Sequence, residues 1–333
     1  MTTPHARPPR FAPALCAAVL TLFAPYASAA DAQQNYPNRP LRMVIPWPPG
    51  QATDLVGRLV AIKLTDVLGQ QVVADNRPGA GGMIGTDVAA KATPDGYTLL
   101  AASSGPVTIN PLLQKAPYDA ARDLTPVANV GRVSFLLVTN PAFPAKNALE
   151  LIALVKAAPG KYSFASSGTG ATAHLVGEWF NSMNGLKATH VPYKGSAPAL
   201  VDVIGGQVAY TLESIGGALP LVRSGRLKAY GVSSLKPSML APEIPSLAAV
   251  ANMPGFDAAA WIGVMVPAGT PRPLVDRLTK AVDEAMRTPD ARERLIAASI
   301  EPDYIPAAEF ALYLKAQTAR FADIIKQGNI RIE

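Results

Sequence analysis

Residues Arg42 to Gly69 read RMVIPWPPGQATDLVGRLVAIKLTDVLG. The stretch opens on Met43-Val44-Ile45, an apolar run that predicts a buried strand, and turns through Pro46, Pro48, Pro49 and Gly50. Leu55, Val56, Leu59, Val60, Ile62 and Leu64 then recur at helical spacing, with Thr53 as the predicted N-cap and Asp54 suited to the positive end of the helix dipole. The first N–H groups of a helix have no partner within it, and such a start favours anions. A single strand–turn–helix is common to α/β proteins of every function, so its meaning depends on whether others accompany it.

Several do. Gln71 to Ala74 reads as a second strand, Asn76-Arg77-Pro78-Gly79-Ala80-Gly81-Gly82 as a glycine-rich turn and Met83 to Ala92 as a helix stopped by Pro94-Asp95-Gly96. Tyr97 to Ala101 is a third strand ending at Ala102-Ser103-Ser104-Gly105-Pro106, which completes a βαβαβ pattern for a parallel sheet. Val127 to Asn140 reads as one or two extended strands. The alternation then restarts with a helix from Asn147, a strand at Tyr162 to Ala165 and the turn Ser166-Ser167-Gly168-Thr169-Gly170-Ala171-Thr172 before a helix to Asn184. Strands follow at Thr189 to Pro192, Val208 to Leu212 and Leu227 to Val232. Past the proline-rich connector Pro237 to Pro254 come a strand at Ala258 to Pro267 and three amphipathic helices, Pro271 to Met286, Asp290 to Ala298 and Pro306 to Gln327, which return to the first unit. The reading is α/β with two domains, 31–131 with 254–333 and 132–253, joined by two crossings near Gly131 and Pro254 in a hinge.

Ahead of these lies a targeting segment, 1–30. Arg7 and Arg10 form its basic start, Phe11 to Tyr26 its apolar stretch and Ala27-Ser28-Ala29 its cleavage pattern, so export with cleavage near Ala29 is expected. Leu15 before Cys16 is too large for a lipidation box. Cys16 is the chain's one cysteine, so the mature chain is expected to have no disulfide, thiolate metal site or cysteine nucleophile. Cleavage removes two of the 30 basic residues and none of the 24 acidic ones, leaving +4. Without a Lys/Arg block, and with 7% aromatic residues, the chain lacks the dense basic face and stacking platforms of a nucleic-acid binder.

Four strand ends share one chemistry. Gly50-Gln51-Ala52-Thr53, Ser103-Ser104, Ser167-Gly168-Thr169-Gly170 and Gly195-Ser196-Ala197 are all small, polar or glycine. Ligands of open α/β sheets sit at the carboxyl ends of strands, and N–H groups and hydroxyls gathered there hold a carboxylate without an arginine. The glycine loops match no nucleotide motif: GTGATAH lacks the Gly-Lys-Ser/Thr of a P-loop. There is no G-x-S-x-G elbow, and His174 and His190 lack ligand spacing, so they read as structural and no metal or cofactor is expected. Trp47 and Trp261 lie beside strand ends, as interlobe packing or as an apolar wall for a ligand.

The run Tyr36-Pro37-Asn38-Arg39-Pro40-Leu41-Arg42-Met43-Val44-Ile45-Pro46 resembles the start of mature Bug (Bordetella uptake gene) receptors, the substrate-binding proteins of tripartite tricarboxylate transporters. The likeness continues through Asn76 to Gly82, Pro94-Asp95-Gly96-Tyr97-Thr98-Leu99-Leu100, His190-Val191-Pro192-Tyr193-Lys194-Gly195 and Pro267-Ala268-Gly269-Thr270-Pro271. The resemblance implies a periplasmic, type II-like two-lobe binding protein that captures a small mono- or dicarboxylate, aliphatic or aromatic, without catalysis, and hands it to membrane subunits of such a transporter. Carried over by residue, it implies ligand contacts from Trp47, Gly50, Ala52, Thr53 and Asp54, from Ser104, and from Ser167, Gly168, Thr169, Gly170, Tyr193, Gly195, Ser196 and Ala197.

Three departures bear on which acid is bound. Gln51 replaces the second glycine of the family turn, Gly105-Pro106-Val107-Thr108 replaces a Thr-His-containing stretch, and Glu213 stands where an aspartate is usual. Gln51 and Glu213 therefore join the candidate site. A monomer without nucleic-acid partners is expected. The alternatives are an exported hydrolase-like enzyme on the same scaffold, against which the missing nucleophile–base pair argues, and a sensor presenting its ligand to a membrane kinase.

Overall fold

The computed structural model describes residues 1, 2 and 35–331. The predicted leader and its cleavage at Ala29 lie outside the described residues, 1 and 2 apart. Two compact units are found, Met1–Asn38 and Arg39–Glu333. In the first, the Tyr36–Pro37 bond is cis. The second carries everything that follows.

Strand β1 (Leu41–Ile45) is buried almost throughout and lies between β2 (Val72–Asn76) and β3 (Thr98–Ser103), parallel to both. This is the βαβαβ unit of the sequence. The helix after β1 runs Ala52–Leu68, with Gln51 rather than Thr53 at its N-cap and Gly69 closing it in the left-handed region. Thr53 is the second helical residue, so its hydroxyl is not used as a cap.

β4 (Leu124–Thr139) organises the rest. It is a single strand of 16 residues rather than a pair. It is buried at every position but Thr125, Pro126, Arg132 and Val133, with the polar Asn129, Ser134 and Thr139 fully buried among its apolar residues. Leu124 to Ser134 pairs antiparallel with β9 (Ala259–Pro267), which also pairs antiparallel with β3. From Phe135 onward the partners change to β7 (Tyr210–Ser214) and β8 (Lys228–Val232). Beyond β7 lie β5 (Ser163–Ser166) and β6 (Thr189–Pro192), both parallel. The spatial order is β2-β1-β3-β9-β4-β7-β5-β6. Ser233, fully buried, ties the exchange point together: its Oγ accepts from Phe135 N–H at 2.9 Å and donates to Ala258 O.

One strand escaped the sequence reading. β10 (Glu301–Pro306) pairs with β4 from Ala128 to Arg132, with an irregular register between Pro302 and Ile305. Its two prolines suit an edge strand, where missing N–H donors disrupt nothing. It leads into the helix Ala307–Gly328. That helix packs on the helix Thr172–Asn184 through an apolar cluster of Ile109, Leu175, Phe321, Ile324 and Ile330.

Candidate functional site

The carboxyl ends of β1, β3, β5 and β7 face a cavity of about 520 Å³. Of the predicted residues, Trp47, Gln51, Ala52, Thr53, Ser104, Ser167, Gly168, Thr169, Gly170, Ser196 and Glu213 line it. Gly50, Asp54, Tyr193, Gly195 and Ala197 do not, and most of these brace the loops behind it.

In the first loop, Asp54 is 2% exposed and accepts from Gly50 N–H at 2.9 Å, Arg58 Nε at 2.9 Å and Asn76 Nδ2 at 2.7 Å. Asn76 Nδ2 also donates to Trp47 O at 2.9 Å, so the turn is stitched to β2. The Trp47 side chain is held as well: its indole Nε1–H donates to Ser103 Oγ at 3.0 Å. The ring lies over Gly82 and Gly105, where added Cβ atoms would sit 3.4 and 3.5 Å from it. Gly82 has φ +89 and Gly81 φ +63, a left-handed pair that side chains rarely adopt. The glycine-rich turn, which fitted no nucleotide motif, is thus the bed of a cavity tryptophan. Gln51 has φ −78 and is exposed, so it replaces the family glycine without backbone strain and places an amide at the cavity's rim.

The loop after β5 is braced from behind. Gly195 N–H donates to Ser167 O at 3.1 Å, and the Tyr193 hydroxyl donates to Asp202 at 2.7 Å. Two of the loop's own amides are committed internally: Gly168 N–H to Ser166 Oγ at 3.2 Å and Gly170 N–H to His174 Nδ1 at 3.1 Å. Acceptance at Nδ1 places the His174 proton on Nε2, which faces Glu178 Oε1 at 3.7 Å. The His174 and His190 rings stack with centroids 3.6 Å apart, and His190 Nε2 lies 2.7 Å from Ser166 Oγ. Both histidines therefore shape the loop. Burial, with His174 beside it, pushes His190 down to about 4.

A histidine with a lowered folded-state pKa binds its proton first in the unfolded chain, so stability is lost as pH falls from about 6.5 towards 4. The melting temperature is expected to decline through that window, and less steeply in His190→Gln. Equal slopes for the two proteins would show that the imidazole pair is not the cause.

Sequence reasoning missed several lining residues. Ser103 and Ser214 adjoin predicted positions, Thr172 belongs to the quoted glycine loop, and Asn110 enters from the helical turn six residues past Ser104. Val133, Phe135, Ala260 and Ile262 come from β4 and β9 where the strands pass the exchange point, a position without a local sequence signal. Trp261 was weighed as packing or wall; it is fully buried, lines the cavity and meets Phe310 edge-on at 5.2 Å. Ser104 Oγ lies 3.5 Å from Thr172 Oγ1, so hydroxyls from the two sheets' loops meet across the cavity.

Chemically, the described lining residues include no lysine, arginine or histidine. The donors are neutral: hydroxyls such as those of Thr53, Ser104, Thr169 and Thr172, the side-chain amides of Gln51, Asn110 and Gln114, the indole N–H of Trp261, which is buried without a partner, and the starts of the helices Ala52–Leu68, Thr172–Asn184 and Ser196–Ile204; the Ser196 hydroxyl is given to Glu213. Helix starts supply unpaired N–H groups and a partial positive charge, the requirements for an anion. No group of three or more potential metal ligands occurs among the described residues, and no described helix is long and apolar enough to cross a membrane.

Two sheets sharing one long strand, with strand ends converging on a cavity, define a two-lobed α/β binding protein. The family model for the tripartite tricarboxylate transporter family receptor matches residues 56–330, and the chain belongs to that family of solute-binding receptors. It is similar to BugT of Bordetella pertussis, 37% identical over 95% of this chain and 98% of the relative. Among solved structures it is similar to R. palustris Rpa4515 with adipate, at 32% identity and TM-score 0.73 over 89% of this chain and 99% of that one. It is also similar to MatC from Rhodopseudomonas palustris with bound malate, at 31% identity and TM-score 0.69 over 87% and 100%.

Proposed function

We propose that this receptor works in the periplasm, captures a small organic acid in the cavity between its sheets, without catalysis, and delivers it to membrane subunits of a tripartite tricarboxylate-type transporter. One observation carries the reading: a cavity without lysine or arginine whose donors are neutral groups, hydroxyls, side-chain amides, an indole N–H and helix starts. That donor set holds a carboxylate by short hydrogen bonds. The adipate and malate bound to two family members are acids of this class.

The change of strand partners on β4 between Ser134 and Phe135, and the start of β9 at Ala259, support a reading of two lobes joined by two crossings. Two crossings leave the lobes free to hinge, and ligand contacts from both favour closure.

Binding to the native state alone raises the melting temperature. A thermal-shift screen of organic acids against neutral amides and amines is expected to give shifts with mono- or dicarboxylates. Shifts confined to neutral or cationic compounds overturn the proposal.

A further inference from the structure

Among the described residues lining the cavity, Glu213 is the only ionisable one, and it is 1% exposed. Its two oxygens differ. Oε1 accepts from Ser196 Oγ at 2.9 Å and from Ser214 N–H at 2.8 Å. Oε2 is buried and has no hydrogen-bond partner in the protein. An oxygen that already receives two donors is a poor place for a proton, so a neutral Glu213 carries its proton on Oε2, as a donor lacking an acceptor. An ionised Glu213 instead leaves a buried anionic oxygen unpaired, in a cavity without a cation, which is costly.

Charges on neighbouring elements are engaged elsewhere. On the helix Ser196–Ile204, Asp202 accepts from Tyr193. On the helix Ile215–Arg223, Arg223 binds Leu240 O and Glu243, while Gly217 is the residue beside the Glu213 side chain. β4 places Leu136 opposite Glu213, β8 carries Lys228 bound to Ala145 O, and His190 on β6 is bound to Ser166 on β5. Burial, against hydrogen bonds from Ser214 and Ser196, holds the Glu213 carboxyl above the usual carboxylate range.

We propose that Glu213 is a specificity-determining residue: it meets the second carboxylate of a dicarboxylate ligand as a neutral acid, donating from Oε2, so that binding a dicarboxylate requires a proton on Glu213 and binding a monocarboxylate does not. This rests on the carboxylate reading of the cavity. The helix starts and hydroxyls hold one carboxylate; Glu213 admits a second without adding a third negative charge. The proton comes from solvent, in proportion to the fraction of free receptor in which Glu213 is ionised.

The probe is whichever dicarboxylate from malate to adipate gives the largest thermal shift, beside the monocarboxylate of the same carbon chain. Calorimetry between pH 5 and 9 is expected to show dicarboxylate affinity falling with rising pH, approaching tenfold per unit above the free receptor's titration point. In that region, heats in two buffers of different ionisation enthalpy should report uptake of about one proton. The monocarboxylate should show neither effect. Glu213→Gln, which keeps a donor and an acceptor in place, is expected to hold the dicarboxylate within about threefold of the wild type's low-pH affinity and to lose the pH dependence.

A flat wild-type profile without proton uptake overturns the proposal. So does a Glu213→Gln variant weakened more than about tenfold at every pH, the signature of an ionised carboxylate accepting from a ligand donor. Failure of every dicarboxylate while monocarboxylates bind also overturns it and leaves the receptor reading standing; failure of all acids removes both. The proton-uptake measurement needs only the wild-type protein, so a variant that does not fold leaves the test intact.

Discussion

Asp54→Ala is expected to lower stability by about 3 kcal/mol and to weaken acid binding more than tenfold, although Asp54 does not line the cavity. Both of its oxygens are committed: one takes Gly50 N–H, the other Arg58 and Asn76. Alanine strands the Gly50 amide and one N–H of Asn76 in a part-buried turn, and an unsatisfied buried donor costs about 1–3 kcal/mol. Arg58, 43% exposed in its side chain, recovers solvation and adds little. Asn76 also holds Trp47 O, so the tryptophan's position in the cavity depends on the same carboxylate. Urea denaturation and calorimetry read the two effects, and Asp54→Asn, which keeps one acceptor, should fall between. A variant with wild-type stability and affinity would show that the turn holds its shape without this brace.

The same residue shows where sequence reading reached and where it stopped. An acid in the first turn of a helix after a glycine turn was legible; that its side chain folds back on the turn rather than facing a ligand was not. Spacing places a residue on an element but does not report what its side chain reaches. The loop after β5 repeats the lesson: Gly168 and Gly170 were readable as a glycine loop at a helix start, yet the amides of both are taken by Ser166 and His174. Elements with a clean period, β1 and the helix Ala52–Leu68 among them, were legible in type and order. β10 was not, because Glu301-Pro302-Asp303-Tyr304-Ile305-Pro306 has neither alternation nor an apolar run and is a strand only because β4 offers an edge. Phe135 and Ala260 reach the cavity through the exchange of partners along β4 and β9, a tertiary event that no local pattern encodes.

Ser104→Asp is expected to reduce affinity for the cognate acid at least about a hundredfold. Ser104 is 2% exposed, lines the cavity, and its hydroxyl lies 3.5 Å from that of Thr172 on the opposite loop. This is where donors from the two lobes converge, and a carboxylate built there takes up donors meant for the ligand. It also places a second negative charge beside the bound acid. Two like charges about 4 Å apart repel by roughly 4 kcal/mol at the effective dielectric typical of such sites. Ser104→Asn has the same shape without the charge and should lose only about tenfold, from crowding and the altered hydrogen bond. The ratio between the two variants isolates the electrostatic part, and it should shrink for a neutral ligand analogue. Equal losses for aspartate and asparagine would mean that Ser104 acts by shape alone and that the anion is held away from the meeting point of the two loops.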